Sequence, residues 1–227
     1  IFHPAARPTR GRVLTGTVSA HCWRRPVPDS RVEETSIELL RHGEPVGGSR
    51  FRGQVDDPLS EHGWQQMRAA VDGDHNWQHV ITSPLQRCHA FADWLAGQHG
   101  IPFSVEGRFA EVGFGEWEGC TRAELEQRSP GQVARFYADP VAHRPPGAEP
   151  LDEFIARVTG GFEQLLADYT GQSVLVIAHA GVIRAILAHV LCMQPAAMYR
   201  INVANAGITR LRTDHLRGFN FEAHGQV

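Results

Sequence analysis

Four stretches hold the residue types of nucleophilic and acid–base chemistry: Arg41-His42-Gly43-Glu44, Ser83-Pro84-Leu85-Gln86-Arg87, Glu111, and His179-Ala180-Gly181. A neutral imidazole is a good nucleophile toward phosphorus. The phosphohistidine it forms divides one difficult hydrolysis into two easier displacements and needs no metal. Two guanidinium forks and a second imidazolium can hold the three oxygens of a phosphoryl group and neutralise charge during in-line transfer. The leaving alkoxide then needs a proton. A carboxylic acid can supply it and afterwards take one from the attacking water, work worth ~10²–10⁴ in rate. An isolated Arg-His-Gly is a weak signal, since a histidine at a strand end is more often structural than catalytic. Here the signals are linked: His42 and His179 each follow an apolar run and precede glycine, and Arg87 falls just inside a helix behind a third run.

These residues need strands to deliver them. Ile37-Glu38-Leu39-Leu40 reads as a strand ending at Arg41-His42, and Val80-Ile81-Thr82-Ser83 as a second short one. Ser60 suits a helix N-cap, with Trp64, Met67 and Val71 at helical spacing to about Val71. Pro84 suits a first helical turn, followed by Leu85, Cys88, Phe91, Ala92 and Leu95 on one face. Phe103 to Val105 gives a third strand. A loop punctuated by Gly113, Gly115 and Gly119 follows, and then a short irregular helical stretch closed by Pro145-Pro146-Gly147. From Leu151 to Tyr169, apolar residues step by three and four along an amphipathic helix. Val174 to Ala178 is apolar on both faces, as in a central parallel strand, and Val182 to Val190 reads as a buried helix. Gly207 to Arg212 and Leu216 to Phe221 can form terminal strands. This alternation predicts an α/β fold, a three-layer α/β/α sandwich with a mainly parallel sheet. Ligands in such sheets sit beyond the carboxyl ends of the strands, where Arg41, His42 and His179 would lie.

Composition removes several rivals. The 227 residues are 42% hydrophobic and 21% charged, enough for one sizeable core. All 22 basic residues are arginine, so Schiff-base chemistry, the Walker-type lysine and the kinase strand lysine are excluded. Residues 1–31 hold six arginines against the single acid Asp29 and show no sustained period. Residues 1–35 are therefore read as a disordered extension outside the fold, and 36–227 as the domain. No apolar run is long enough for a membrane span. Cys22, Cys88, Cys120 and Cys192 show no C-x-x-C spacing and read as reduced thiols of a cytoplasmic protein. None has an arginine six positions on, so the cysteine-phosphatase loop is absent.

Taken together, Leu39 to Glu44, Arg52-Gly53-Gln54 with Asp57 to Ser60, Ser83 to Arg87, Phe114 to Gly119 and Ala178 to Arg184 resemble the histidine phosphatase superfamily, the phosphoglycerate-mutase-like fold. The resemblance covers residues 36 to about 221. It implies that His42 is the phosphorylated nucleophile, that Arg41, Arg87 and His179 form the phosphate pocket and that Glu111 is the proton donor. Arg52 and Gln54 are its further candidate substrate contacts. It implies no metal and no cofactor, and a small phosphate monoester as partner rather than nucleic acid or membrane; a homodimer stays open. Within the superfamily, Gly47 to Gly53 with Asp56-Asp57, and Pro145 to Pro150, are most similar to α-ribazole phosphatase of cobalamin synthesis. Another sugar or nucleotide phosphate is the alternative substrate, and a non-catalytic phosphate-binding module the alternative class. The sequence departs from the family at Pro45, where Thr or Ser is usual, so a hydroxyl and a backbone donor are missing.

Lesser readings complete the picture. Glu116 and Glu118 are expected to be solvated loop carboxylates, although either could be confused with Glu111 as the acid. Trp117 is expected to pin its own loop rather than stack on substrate. Asp72-Gly73-Asp74 has the interval of a metal-dependent aspartate phosphatase but follows a helix, not a strand. The same segment fails as a calcium loop because Trp77 and Ser83 stand where Gly and Glu are needed. The roughly 190-residue core lacks the longer insertions of a mutase, so hydrolysis is favoured over phosphate shuttling.

Overall fold

The computed structural model describes residues 34–214 and 218–225; the expected extension lies outside them except for its last two residues. Six strands form one sheet in the order β3-β2-β4-β1-β5-β6. Strands β1 (Ser36–Arg41), β2 (His79–Thr82), β3 (Phe103–Val105) and β4 (Ser173–Ala178) run parallel. Strand β5 (Ile208–Asp214) pairs antiparallel with β1, and β6 (Gly218–Gly225) antiparallel with β5. The start of the expected last strand, at Leu216, lies outside the described residues.

Successive side chains of β4 face opposite ways, so each face of the sheet needs its own cover. Val174, Val176 and Ala178 pack with helices α5 (Leu151–Asp168) and α6 (Ala180–Val190) on one side. Leu175 and Ile177 pack with α1 (Glu61–Ala70) and α2 (Gln86–His99) on the other. This is the expected three-layer sandwich. The irregular stretch resolves into α3 (Arg122–Arg128) and α4 (Gln132–Ala138), which cover a small satellite core of Trp117, Leu125, Val133 and Phe136.

Ser60 caps α1, its hydroxyl accepting from the Gly63 amide at 3.0 Å. Pro84 lies before α2 rather than in its first turn, and Leu85 at the N-cap offers no side-chain cap. The cap comes from another loop, where Asp56 accepts from the Gln86 amide at 2.7 Å. Gly43 and Gly63 cross back to back: a Cβ on Gly43 would lie 2.2 Å from the Gly63 carbonyl oxygen, and one on Gly63 2.1 Å from that of Glu44. The helix thus rests directly on the backbone beside His42.

Candidate active site

His42 stands one residue beyond β1, its amide donating to the Ala178 carbonyl at 3.0 Å. His179 follows β4 as the N-cap of α6, and Ser83 follows β2 with its amide on the Ile177 carbonyl at 3.0 Å. Three adjacent strand ends therefore converge. The two imidazoles lie edge to face with centroids 5.2 Å apart, and His179 is fully buried.

The His42 tautomer follows from its neighbour. Nδ1 lies 2.7 Å from the Gly43 carbonyl oxygen, which can only accept, so Nδ1 carries the hydrogen and Nε2 keeps its lone pair in the neutral ring. Burial, then the charges of Arg41 and Arg87, hold this histidine well below its ordinary pKa against the opposing pull of that carbonyl. His179 is also held well below its ordinary value, by burial first and then by Arg87, His42 and Arg41. These surroundings favour its neutral form. Its Nε2 is 2.7 Å from Ser83 Oγ, and the free thiol of Cys88 packs 3.6 Å from the same nitrogen. Ser83 thus meets the His179 ring through its hydroxyl.

Arg41 and Arg87 are fixed by main chain and remain electrically unpaired. Arg41 Nη1 donates to the Val203 carbonyl at 2.6 Å, and Arg87 donates to the carbonyls of Val55 and Gly53 at 2.9 and 3.0 Å. Neither has a carboxylate within ion-pair distance among the described residues, and the Nε–H of each is buried without an acceptor. Buried guanidinium donors without partners fit an anion, and a phosphoryl group offers three oxygens. Burial and the nearby Arg184 and Arg87 press Arg41 down to about 10 despite the attraction of Glu111, so it stays charged near neutrality.

Glu111 is buried beside these groups. Its carboxylate accepts from the Gly181 amide at 3.0 Å and from Val112 at 2.9 Å, two residues past His179. A Cβ on Gly181 would lie 2.2 Å from Glu111 Oε1, so a larger residue there would displace the carboxylate. Sequence reasoning missed what holds Glu111. Arg157 on α5 donates to the carbonyls of Arg108, Ala110 and Glu111 at 2.7, 2.8 and 3.1 Å, while Glu149 pairs with its Nε at 2.6 Å.

The remaining candidates play framing parts. Arg52 donates to Asp57 at 2.6 Å and to the carbonyls of Gly48 and Val46 at 2.8 and 2.7 Å, so it ties its own loop although its charge reaches His42. Gln54 donates to the Glu111 carbonyl at 2.7 Å. Glu118 is no solvated carboxylate. It accepts four backbone amides, those of Gly53, Gln54, Val55 and Phe114, at 2.8–3.1 Å. Glu116 is exposed as expected, and Trp117 packs against Phe51 and Phe136 with centroids 4.9 and 5.4 Å away. Pro45 sits buried in a bridge to Leu59, and the flanking amides of Glu44 and Val46 are met by Gln66 and the Pro58 carbonyl, which brace the turn that lacks a donor. Asp72 and Asp74 lie exposed in the turn before β2, at the end of the strand opposite the one that leads to Ser83. Cys88 and Cys120 are free thiols as expected, whereas Cys192 is disulfide-bonded, against the reading of four reduced cysteines; Cys22 lies outside the described residues.

With this arrangement in view, the sequence profile of the Histidine phosphatase superfamily (branch 1) matches residues 37–225. The chain belongs to that superfamily. A bifunctional protein of Mycobacterium tuberculosis is 31% identical over 185 residues, 79% of this chain and 50% of its own length, so the chain spans about half of that relative. Glucosyl-3-phosphoglycerate phosphatase of the same species is 30% identical over 200 residues, covering 82% of this chain and 89% of its own. The solved structure of a mycobacterial glucosyl-3-phosphoglycerate phosphatase superposes with a TM-score of 0.74 at 27% identity, over 84% of this chain and 98% of that one. The chain therefore has the phosphoglycerate-mutase-like α/β fold of this superfamily. No described helix is long and apolar enough to cross a membrane.

Proposed function

We propose that the protein hydrolyses a small phosphate monoester through a phosphohistidine on His42. The observation that carries this is the His42 ring itself: buried, held neutral, with Nδ1–H donated to the Gly43 carbonyl and Nε2 left as the nucleophile. Nε2 attacks phosphorus in line with the ester oxygen. The P–O bond breaks, and Glu111 gives the departing alkoxide its proton. Glu111 then removes a proton from water, whose oxygen attacks the phosphohistidine and returns Nε2 with its lone pair. Arg41 and Arg87 neutralise the charge of both transfers, and His179, oriented by Ser83, hydrogen-bonds a phosphoryl oxygen.

Two substrate readings stand. The loop Gly47 to Gly53 with Asp56-Asp57, and Pro145 to Pro150, support α-ribazole 5′-phosphate. Similarity to the glucosyl-3-phosphoglycerate phosphatases over most of both chains supports a sugar-acid phosphate. The reaction is tested with p-nitrophenyl phosphate in EDTA and by acid quench of a ³²P-labelled ester. Phosphate release and an acid-labile label on wild type are expected, with both lost on His42→Ala by on the order of 10⁴ or more. Undiminished release from that variant overturns the reading. Comparing turnover of α-ribazole 5′-phosphate with that of glucosyl-3-phosphoglycerate decides between them.

A further inference from the structure

Among the described residues two that are not glycine hold a positive φ, Cys192 at 52° and Ala206 at 53°. Cys192 stands exposed one residue past the C-cap of α6, where helix ends ordinarily turn left-handed. Ala206 is fully buried, in the segment that leads into β5. The Gly207 amide donates to the Ala204 carbonyl at 3.1 Å, which closes a four-residue turn with Ala206 at its third position. A turn with positive φ at that position alone ordinarily takes glycine, because a Cβ there crowds the backbone. Here an alanine is kept, and its methyl lies in the apolar cluster that holds Leu40 and Ile208.

This segment meets the nucleophile at three points. The Ala206 amide donates to the His42 carbonyl at 3.3 Å, and the Gly207 carbonyl accepts the Arg41 amide at 3.1 Å. Just ahead of the turn, the Val203 carbonyl accepts Arg41 Nη1 at 2.6 Å. The antiparallel pairing of β1 with β5 ends at Leu40 opposite Ile208, so Arg41 and His42 lie beyond it and the turn continues in its place. Rotation about the backbone of Ala206 would displace the amide that meets His42 from the carbonyl that meets Arg41. Glycine reaches left-handed and right-handed backbone about equally, whereas an alanine held against its preference by a packed core has one arrangement open to it.

We propose that Ala206 is a positioning residue for the nucleophile. Its buried methyl holds the turn of residues 204–207 in one conformation, and through that turn the His42 carbonyl and Arg41 are fixed where in-line attack needs them. Its effect on rate rests on the phosphohistidine reading.

The test is Ala206→Gly in the full chain, a change that frees the turn and relieves its strain together. Tm should stay within a few degrees of wild type, since the relief opposes the loss of a buried methyl. The kcat for p-nitrophenyl phosphate should fall about 10-fold with KM nearly unchanged, because small misplacements of a reacting group are costly in rate. Hydrogen exchange gives a reading independent of activity. The Arg41 amide, held by the turn, should exchange about 5-fold faster, and the Ser83 amide, held by the Ile177 carbonyl, should not change. Ala206→Ser keeps Cβ and should recover most of the rate. Wild-type kcat in Ala206→Gly, unchanged exchange at Arg41, or a folded serine variant as slow as the glycine one overturns the proposal. If wild type and His42→Ala hydrolyse p-nitrophenyl phosphate alike, the phosphohistidine reading falls, while exchange at Arg41 still reports on the turn.

Discussion

The floor of the pocket and its flank are built by different means. On the floor, His42, Ser83 and His179 stand immediately beyond β1, β2 and β4, and the amides of His42 and Ser83 continue the hydrogen bonding of the parallel sheet. On the flank, residues 53–57 and 111–118 have no sheet to register them, and charged side chains grip their backbone instead. Glu118 collects four amides, Arg157 three carbonyls and Arg87 two. Substitutions on the floor should remove chemistry and spare the fold. Substitutions in the grips should loosen the structure first and harm the chemistry through it.

Arg87 belongs to both regions and breaks the comparison most severely. Arg87→Ala should cost about 10²–10³ in kcat through lost preorganised charge at phosphorus. It should also lower Tm, because the Gly53 and Val55 carbonyls lose their donor. Wild-type turnover in this variant would remove Arg87 from the pocket. Glu118→Ala tests the flank alone. It should destabilise the protein by about 2 kcal/mol or more, roughly 4–8 °C in Tm, by leaving four loop amides to find water. An unchanged melting curve would show that the loop holds itself.

Arg157→Met separates acid positioning from phosphate binding. Turnover of alkyl phosphates, whose leaving groups need protonation, should fall about 10-fold, with a much smaller loss on p-nitrophenyl phosphate. Equal losses on both would assign Arg157 a purely structural part. The smallest effect is expected from pH. His42 and His179 are depressed in the folded state, whereas the unfolded chain takes up protons near pH 6.5. Their contribution is thus undiminished above about pH 6.5 and declines as pH falls toward the folded values. Melting temperature followed from pH 8 to 5 should show this decline, and His179→Gln should flatten it; an identical slope in the variant would place the acid sensitivity elsewhere.

The same division decides what the sequence could reveal. Floor residues follow apolar runs of fixed period, so β1, β2, β4 and α6 are legible, and the residues at their ends with them. The grips leave no local signature. Glu118 reads as one more polar loop residue because its partners, Gly53 to Val55, lie more than sixty positions away. Arg157 sits on the polar face of α5, where a solvated charge is the ordinary expectation. Arg52 carries the right charge near the right residue, yet its donors are spent on Asp57, Val46 and Gly48. Trp117 was readable because an indole beside glycines has few uses other than packing.

The crossing of Gly43 with Gly63 sets a limit on how this enzyme can vary. Two bare backbones share one space there, so a methyl on either partner must push α1 away or tilt the reactive ring. Neither position can accept a larger residue in return for a smaller one opposite, because the atoms it would meet are backbone atoms of Gly63 and Glu44, which every residue carries. His42 is consequently locked to a helix that supplies none of the side chains gathered around it, and a conservative change on that helix can disturb the ring from outside the pocket.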